Sequence, residues 1–305
     1  MKELNLDDIL SKTSDLTKEK KVWYVSIIWR PNAWKSTFIN SLLWEKISIT
    51  SNIPQTTRKK VLAIYNDQDS QIIFYDTPWI HESNKLFNEE INNVAINTLK
   101  ESDLILYFID SSREWGKEED FIKKLISQIK VPIIKVYTKV DLKPKINIPE
   151  NNNVVKISST TKKWFDNLIN KIKSYLKVWP LMFPEDIYTK QDMYFRISEV
   201  IREKVFLHTK DELPHSVYVW VEEIQDLEKQ KDWKDLLKIV AYIYTDTDSQ
   251  KYIIIWKNGS LITKIWKEAR IELEDIFWKK VFLALRVKVN KNWRKNENFV
   301  KKLLK

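Results

Sequence analysis

The sequence predicts two domains: an α/β domain with a mainly parallel sheet and helices on both faces, then a smaller α+β domain. Three observations predict this. Short apolar runs rich in Val, Ile, Tyr and Phe alternate with helix-period stretches through the first half of the chain. The stretch "VWPLMFPEDIYTK", residues 178–190, carries two prolines and reads as a linker. After it the order changes to a helix, two strands, a helix pair and a strand. The expected limits are a polar extension at 1–20, a first domain at 21–177, the linker, and a second domain at 191–305.

The elements follow in order. "YVSII", "QIIFYD", "DLILYFID", "VPIIKVY" and "NVVKIS" are short runs of strand type. Between and after them, "KSTFINSLL", "LFNEEINNVAINTLK", "EEDFIKKLISQI" and "FDNLINKIKSYL" have helical spacing. That alternation implies βαβ units, whose sites lie beyond the C-terminal ends of the strands. In the second domain a helix near "DMYFRISEVIREKVFLHT" precedes strands "SVYVWVEEI" and "LLKIVAYIYT". A helix pair around "KNGS" and the strand "KKVFLALRVKV" follow. In the first of these helices, Arg202, Glu203 and Lys204 read as surface charges.

Composition narrows the function classes. The net charge is +10 and 31% of residues are charged, which points to an anionic partner, nucleic acid or an acidic membrane surface. With no Cys, disulfides and thiolate metal sites are excluded, and a cytoplasmic location is expected. No apolar run approaches a membrane span, and the first residues lack the apolar core of a signal peptide. His81, His208 and His215 are isolated and share no ligand spacing. A monomer is expected.

Four pieces at predicted strand ends carry the chemistry. The first is "IIWRPNAWKSTFINSL", whose Trp29, Arg30, Pro31, Asn32, Ala33, Trp34, Lys35, Ser36 and Thr37 fit the phosphate-loop spacing G-x-x-x-x-G-K-[ST] with tryptophan at both glycine places. Lys35 would reach the β- and γ-phosphates, Ser36 would bind Mg²⁺, and the helix start would face the phosphates. The second is "IPQTTRKK", where Thr56 or Thr57 could join the Mg²⁺ shell. The third is "DTPWI": Asp76 suits a Mg²⁺ contact through water, and position 79 a backbone contact to the γ-phosphate, with Thr77, Pro78, Trp79 and Ile80 lining the site. The fourth is "TKVD", Thr138, Lys139, Val140 and Asp141. Asp141 can accept from both donors on the guanine edge, which adenine lacks, and Lys139 would lie along the base. Ser158 and Ser159 could shape the pocket round guanine O6. Each piece alone is weak; the four in this order predict a GTP site.

The tryptophans conflict with that site. The chain has 2 Gly and 14 Trp in 305 residues. Ordinary usage of about 7% Gly would give roughly 20. A phosphate loop needs glycine because its backbone must wrap the phosphates, and an indole would fill their space. Either the nucleotide site is dead, leaving an RNA-binding protein, or many of these codons are read as glycine. UGA, one base from UGG, is read as glycine in some bacterial lineages, and the expectation here is recoding.

The residues "WRPNAWKSTFINSLLWEKISIT", "PQTTR", "DTPWI", "TKVDL" and "SST" resemble the bacterial Era GTPase family. The likeness continues through "PEDIYT", "LPHSVYV", "DSQKYIIIWKNGSLITKIWKEARIELE" and "VFLALRVKVNKNWR", similar to that family's C-terminal KH domain, and covers about residues 20 to 305. It implies an α/β P-loop GTPase domain followed by a type II-like KH RNA-binding domain. It also implies GTP and GDP as ligands, and the 3′ region of 16S ribosomal RNA and the 30S subunit as partners. Its pattern has glycine at positions matching Trp23, Trp29, Trp34, Trp44, Trp79, Trp164, Trp179, Trp256, Trp266 and Trp278, and tryptophan at Trp293. It leaves Trp115, Trp220 and Trp233 open. At Thr138 the family usually has asparagine; related GTPases use threonine, so guanine selectivity is expected to persist.

The KH resemblance gives the second domain a reading. A KH module clamps single-stranded RNA against a G-x-x-G loop. Here that loop is Trp256, Lys257, Asn258 and Gly259, with the next helix starting at Ser260. Lys264, Lys267 and Arg270 follow as candidate phosphate contacts, with Lys288, Lys291 and Arg294 nearby. A γ-phosphate switch is expected at the segments near Thr57 and Asp76. Ile80 stands where Ras-like proteins orient water with glutamine, so hydrolysis should be slow without a partner. In related GTPases an asparagine matching Asn32 holds K⁺. A rival reading sets the basic tail on anionic lipid, as a peripheral membrane GTPase. It needs an exposed apolar face beside the charges, which the sequence does not display.

Overall fold

The computed structural model describes residues 19–29, 35–43, 60–78, 80, 86–158, 165–227 and 235–304. The chain forms two compact units, with the boundary between their main bodies at Lys190/Gln191.

In the first unit, β1 (Glu19–Trp29), α1 (Lys35–Leu43), β2 (Val61–Asn66), β3 (Ser70–Asp76), α2 (Leu86–Glu101), β4 (Leu104–Asp110), α3 (Lys117–Ile126), β5 (Ile133–Thr138), β6 (Val154–Lys156), α4 (Phe165–Lys173) and β7 (Lys177–Pro180) succeed one another. The sheet order is β2-β3-β1-β4-β5-β6. All neighbours from β3 to β6 run parallel, while β2 is antiparallel to β3. Every residue of β3 and β4 is buried, as continuous apolar runs in a sheet covered on both faces must be. On one face Phe38 of α1 meets Phe74, Phe108 and Phe165 edge-on. The other face packs Ala95 and Leu99 of α2 and Ile122 and Ile126 of α3 against Ile105 and Tyr107.

Two features of this unit differ from the sequence expectations. The sequence reading omits β2, which pairs with β3 through a turn tied by Asp67: its Oδ1 accepts from Asp69 N, Ser70 N and Ser70 Oγ at 3.1, 2.9 and 2.9 Å. The stretch 178–190 is not a free linker. Its start lies in β7, antiparallel to β1. The buried Gln71 amide then holds it, accepting from Met182 N at 2.9 Å and donating to Phe183 O at 2.8 Å, and Thr189 Oγ1 donates to Leu62 O at 2.8 Å. A buried amide needs such partners, and this backbone supplies them.

The second unit runs through α5 (Met193–His208), the short α6 (Leu213–Ser216), β8 (Tyr218–Leu227), β9 (Leu236–Thr245), α7 (Asp248–Phe277), β10 (Lys280–Val289), a 3₁₀ turn at Trp293–Lys295 and α8 (Glu297–Leu304). The sheet order is β10-β9-β8, with β9 parallel to β10 and antiparallel to β8. Ile197, Val200, Ile201 and Val205 of α5 and Ile254, Ile265, Ala269 and Leu273 of α7 share one core with the inward residues of the three strands. The helix pair expected around "KNGS" is one hydrogen-bonded helix, α7. Gly259 interrupts its backbone at φ +84, a value glycine adopts at little cost. Counting α7 as two halves gives the αββααβ order of a type II-like KH domain.

Arg202, Glu203 and Lys204 correct another expectation: they are buried, at 3%, 2% and 9% exposure. Charges in such a place need partners. Arg202 Nε and Nη2 reach Glu199 at 2.8 and 2.6 Å, and Lys204 pairs with Glu272 of α7.

Candidate nucleotide site and RNA interface

The C-terminal ends of the parallel strands lie in one row. Asp76 pairs in register with Ile27, Trp29 with Phe108, and Asp110 with Thr138. Connections leave β1 and β4 toward opposite sides of the sheet, so the crevice between them is the place for a ligand.

Asp76 is fully buried at the tip of β3. Thr77 Oγ1 donates to Ile27 O at 2.8 Å, which fixes the start of the "DTPWI" segment against β1. Pro78 is buried as well. Ile80 is 3% exposed and packs with Ile28, Leu99 and Ile105, so its side chain serves the core and cannot orient water. Trp29 ends β1 at 8% exposure. Lys35, Ser36 and Thr37 open α1, which begins six residues after the end of β1. Arg30, Pro31, Asn32, Ala33, Trp34, Thr56, Thr57, Trp79 and Ser159 lie outside the described residues, as do the side chains of Lys35, Ser36 and Thr37.

The "TKVD" turn is held by a residue that sequence reasoning missed. Lys139, at φ 57, donates from Nζ to Asp110 Oδ2 at 2.6 Å. Ser112 N and Oγ donate to Asp110 Oδ1 at 3.0 and 2.6 Å. Burial alone would raise the Asp110 carboxyl, but the bonds from Lys139 and Ser112 outweigh it and hold the group below the usual carboxylate range. Ser111 Oγ donates to Thr138 O at 2.8 Å, and Thr138 Oγ1 to Ile109 O at 3.4 Å. The only sequence signal for Asp110 is an acid closing "DLILYFID". Asp141 is exposed. Val140 N donates to Ile157 O at 3.4 Å, which sets the buried Ser158 beside the turn. Lys139 Nζ thus forms an ion pair across the β4–β5 ends.

In the second unit Trp256 is 55% exposed on α7, three residues before Gly259. The side chains of Lys257 and Asn258 lie outside the described residues. Lys264 and Lys267 are exposed, one turn apart. Arg270 is engaged within the domain: its Nη1 donates to Glu274 at 2.9 Å and its guanidinium lies over the Trp266 ring. Lys288 sits 3.6 Å over the Tyr242 ring, and Arg294 pairs with Asp246 at 2.8 Å. Among the described residues no cluster of His, Asp and Glu could hold a metal by itself, and no helix is long and apolar enough to cross a membrane.

Comparison with known proteins matches both units. Residues 24–139 match the family model for 50S ribosome-binding GTPases, and residues 212–294 the KH domain. The GTPase Era of Thermoanaerobacter pseudethanolicus is 40% identical over 293 residues, 93% of this chain and 96% of the relative. That of Treponema denticola is 39% identical over 92% of this chain and 98% of its own. Among solved structures, a point variant of Aquifex aeolicus Era bound to GDP·AlF4⁻ superposes with a TM-score of 0.84 at 35% identity, covering 92% of this chain and 98% of that one. Era in complex with MgGDPNP and nucleotides 1506–1542 of 16S ribosomal RNA gives 0.84 at 34% identity, over the same shares. Matching fold, both domains and near-complete length together show that this chain belongs to the Era GTPase family.

Proposed function

We propose that this chain binds and hydrolyses GTP with Mg²⁺, and that its second unit clamps the single-stranded 3′ region of 16S ribosomal RNA during 30S assembly. The observation that carries the nucleotide half is the row of strand ends, with Asp76 buried at β3 and the Asp110–Lys139 pair fixing the turn that presents Asp141. A buried carboxylate at a strand tip suits a Mg²⁺ ion held through water, with Ser36 and Thr57 as its direct ligands. Mg²⁺ would neutralise charge on the phosphates. Lys35 would bind the β- and γ-oxygens, and Thr56 would steady the loop beside them. Asp141 would select guanine, with Ser158 and Ser159 lining O6. Asn32 would hold K⁺ near the phosphates.

With Ile80 in the core, the chain offers no side chain there to position the attacking water, so turnover without a partner is slow. On the RNA side, exposed Lys264 and Lys267 beside Trp256–Gly259 would meet phosphates, while Arg270 steadies α7 through Glu274. The protein acts as a cytoplasmic monomer.

The test uses two versions of the full chain, one as printed and one with glycine at 29, 34 and 79. The glycine version should bind GTP in preference to ATP and release phosphate in a Mg²⁺-dependent way. The printed version should bind neither, since an indole at 34 would fill the space a phosphate needs. Equal affinity of the glycine version for GTP and ATP would sink the nucleotide half. Binding of anionic vesicles in place of RNA would favour a membrane-surface role instead.

A further inference from the structure

The Gln71 side chain, at 0% exposure on β3, uses its whole bonding capacity. Its Oε1 accepts from Met182 N at 2.9 Å and from Phe183 N at 3.1 Å. Its Nε2 donates to Phe183 O at 2.8 Å and to Asn66 Oδ1 at 2.9 Å. Two acceptances and two donations are what a side-chain amide offers. Asn66, its register partner on β2, in turn donates from Nδ2 to Glu185 O at 3.1 Å. Further along, Ile64 N donates to Tyr188 O at 2.9 Å, and the backbone of Thr189 bridges antiparallel to Ala63. Residues 182–189 therefore lie as a strap along the β2–β3 hairpin, and Leu181 seats the strap's start in a core with Val22, Ile73 and Tyr75. An apolar side chain would suit position 71 of a sheet covered on both faces, so the amide answers to the strap.

The hairpin and the strap lead to different places. Beyond Thr189 only residues 190–192 precede Met193, the first residue of α5. On the hairpin side, Thr57 lies four residues before β2, and Asp76 closes β3. Both segments proposed to meet the γ-phosphate thus attach to the hairpin that carries the strap.

We propose that Gln71 is a positioning residue that makes hairpin and strap one rigid lever, through which the nucleotide bound by the first unit sets the RNA affinity of the second. This rests on the proposed nucleotide and RNA sites and names the route between them. The lever is stiff because each of these bonds, if lost, leaves a desolvated group unpaired. It transmits because three residues leave little slack before α5. Nucleotide and RNA then couple in both directions by the same factor.

The experiment titrates single-stranded RNA of the 16S 3′ region into the full chain with glycine at 29, 34 and 79, loaded with GDP or with a non-hydrolysable GTP analogue. The two forms should differ in RNA affinity by about fivefold or more, falling below about twofold in Gln71→Leu. GTP affinity and hydrolysis without RNA should stay unchanged in that variant, which separates positioning from general damage. A second variant covers the case in which Gln71→Leu fails to fold. Insertion of Gly-Ser-Gly-Ser after Lys190 leaves every strap bond in place and adds slack, so it should melt like the parent and lose the same coupling. Hydrogen exchange gives an independent reading: the Ile64, Met182 and Phe183 amides should be equally protected in both nucleotide forms. Coupling that survives either variant, or strap amides that open in one form, overturns the lever. A parent that binds both ligands without coupling also overturns it and leaves the proposed function standing, whereas a parent that binds neither ligand overturns both.

Discussion

Lys204 of α5 and Glu272 of α7 form an ion pair in the second unit, and one turn along each helix His208 Nε2 meets Glu268 Oε2 at 2.6 Å. The two rungs fix the register of antiparallel helices that share a core. Glu203, 3.8 Å from Lys204, adds a second acid to the lower rung. α7 carries Gly259, so the ladder sets where the proposed RNA clamp sits on the domain.

Removing one member of the lower rung should therefore cost more than removing both. Lys204→Met leaves the mostly buried Glu272 facing an apolar chain, for a loss of about 3 kcal/mol. The double variant Lys204→Met/Glu272→Leu should recover part of that, since an apolar pair replaces two desolvated charges while buried Glu203 still loses Lys204 at 3.8 Å. Urea unfolding of the four proteins of the cycle measures this. A double variant as unstable as the single one would show that the pair is not an energetic unit.

The Asp110–Lys139 pair makes a pH prediction. Asp110 titrates below the ordinary carboxylate range when folded, and so does Asp67, where burial is outweighed by bonds from Lys173 and Ser70. A depressed folded value gives stability that is full above the unfolded pKa and is lost as pH falls from there through the folded value. The first unit should thus lose stability below about pH 4. Asp110→Asn should cost about 1.5–3 kcal/mol at neutral pH and make the acid limb shallower. An unchanged acid limb in that variant would mean the pair does not form in solution.

This pair also marks where the sequence stopped being legible. "DTP" and "TKVD" could be placed because each directly follows an apolar run, and a site at parallel strand ends follows from that order. Asp110 could not, because its partner is 29 residues away and nothing local distinguishes it from a solvated acid. Arg202, Glu203 and Lys204 read as surface for the same reason: three charges in a row look exposed until α7 brings Glu272 against them. The strap at 178–190 reads as a linker because prolines signal a break in helix, and that signal says nothing of the pairing Gln71 supplies. β2 has five apolar residues in six, but its polar approach and short turn to β3 hid it.

Asp141→Asn tests base recognition. The variant keeps the shape of the exposed side chain but gives up an anionic acceptor for two guanine donors. Charge-assisted bonds of this kind are worth about 1.5–3 kcal/mol each. In the glycine-containing chain, GTP affinity should fall at least tenfold (about 1.4 kcal/mol), while a xanthine nucleotide, with a carbonyl where guanine has an amine, should gain. Isothermal titration with both nucleotides checks it. GTP affinity unchanged by the substitution would remove Asp141 from the site.

The clamp in the second unit separates backbone from charge. At Gly259 an added β-carbon would sit 3.7 Å from Ile262 Cγ2, an ordinary van der Waals distance, so space is not what demands glycine. The φ of +84 is, and Gly259→Ala should cost about 1 kcal/mol of domain stability through backbone strain alone. The double variant Lys257→Asp/Asn258→Asp leaves that backbone residue in place and acts through charge. It should weaken binding of single-stranded RNA and reduce the salt slope of log K by about 1 for each phosphate no longer neutralised. GTP hydrolysis measured without RNA should stay unchanged in both variants, because neither replaces a residue of the proposed nucleotide site. If the charge variant keeps both its RNA affinity and its salt slope, phosphate is held elsewhere on the domain, and exposed Lys264 and Lys267 become the residues to replace next.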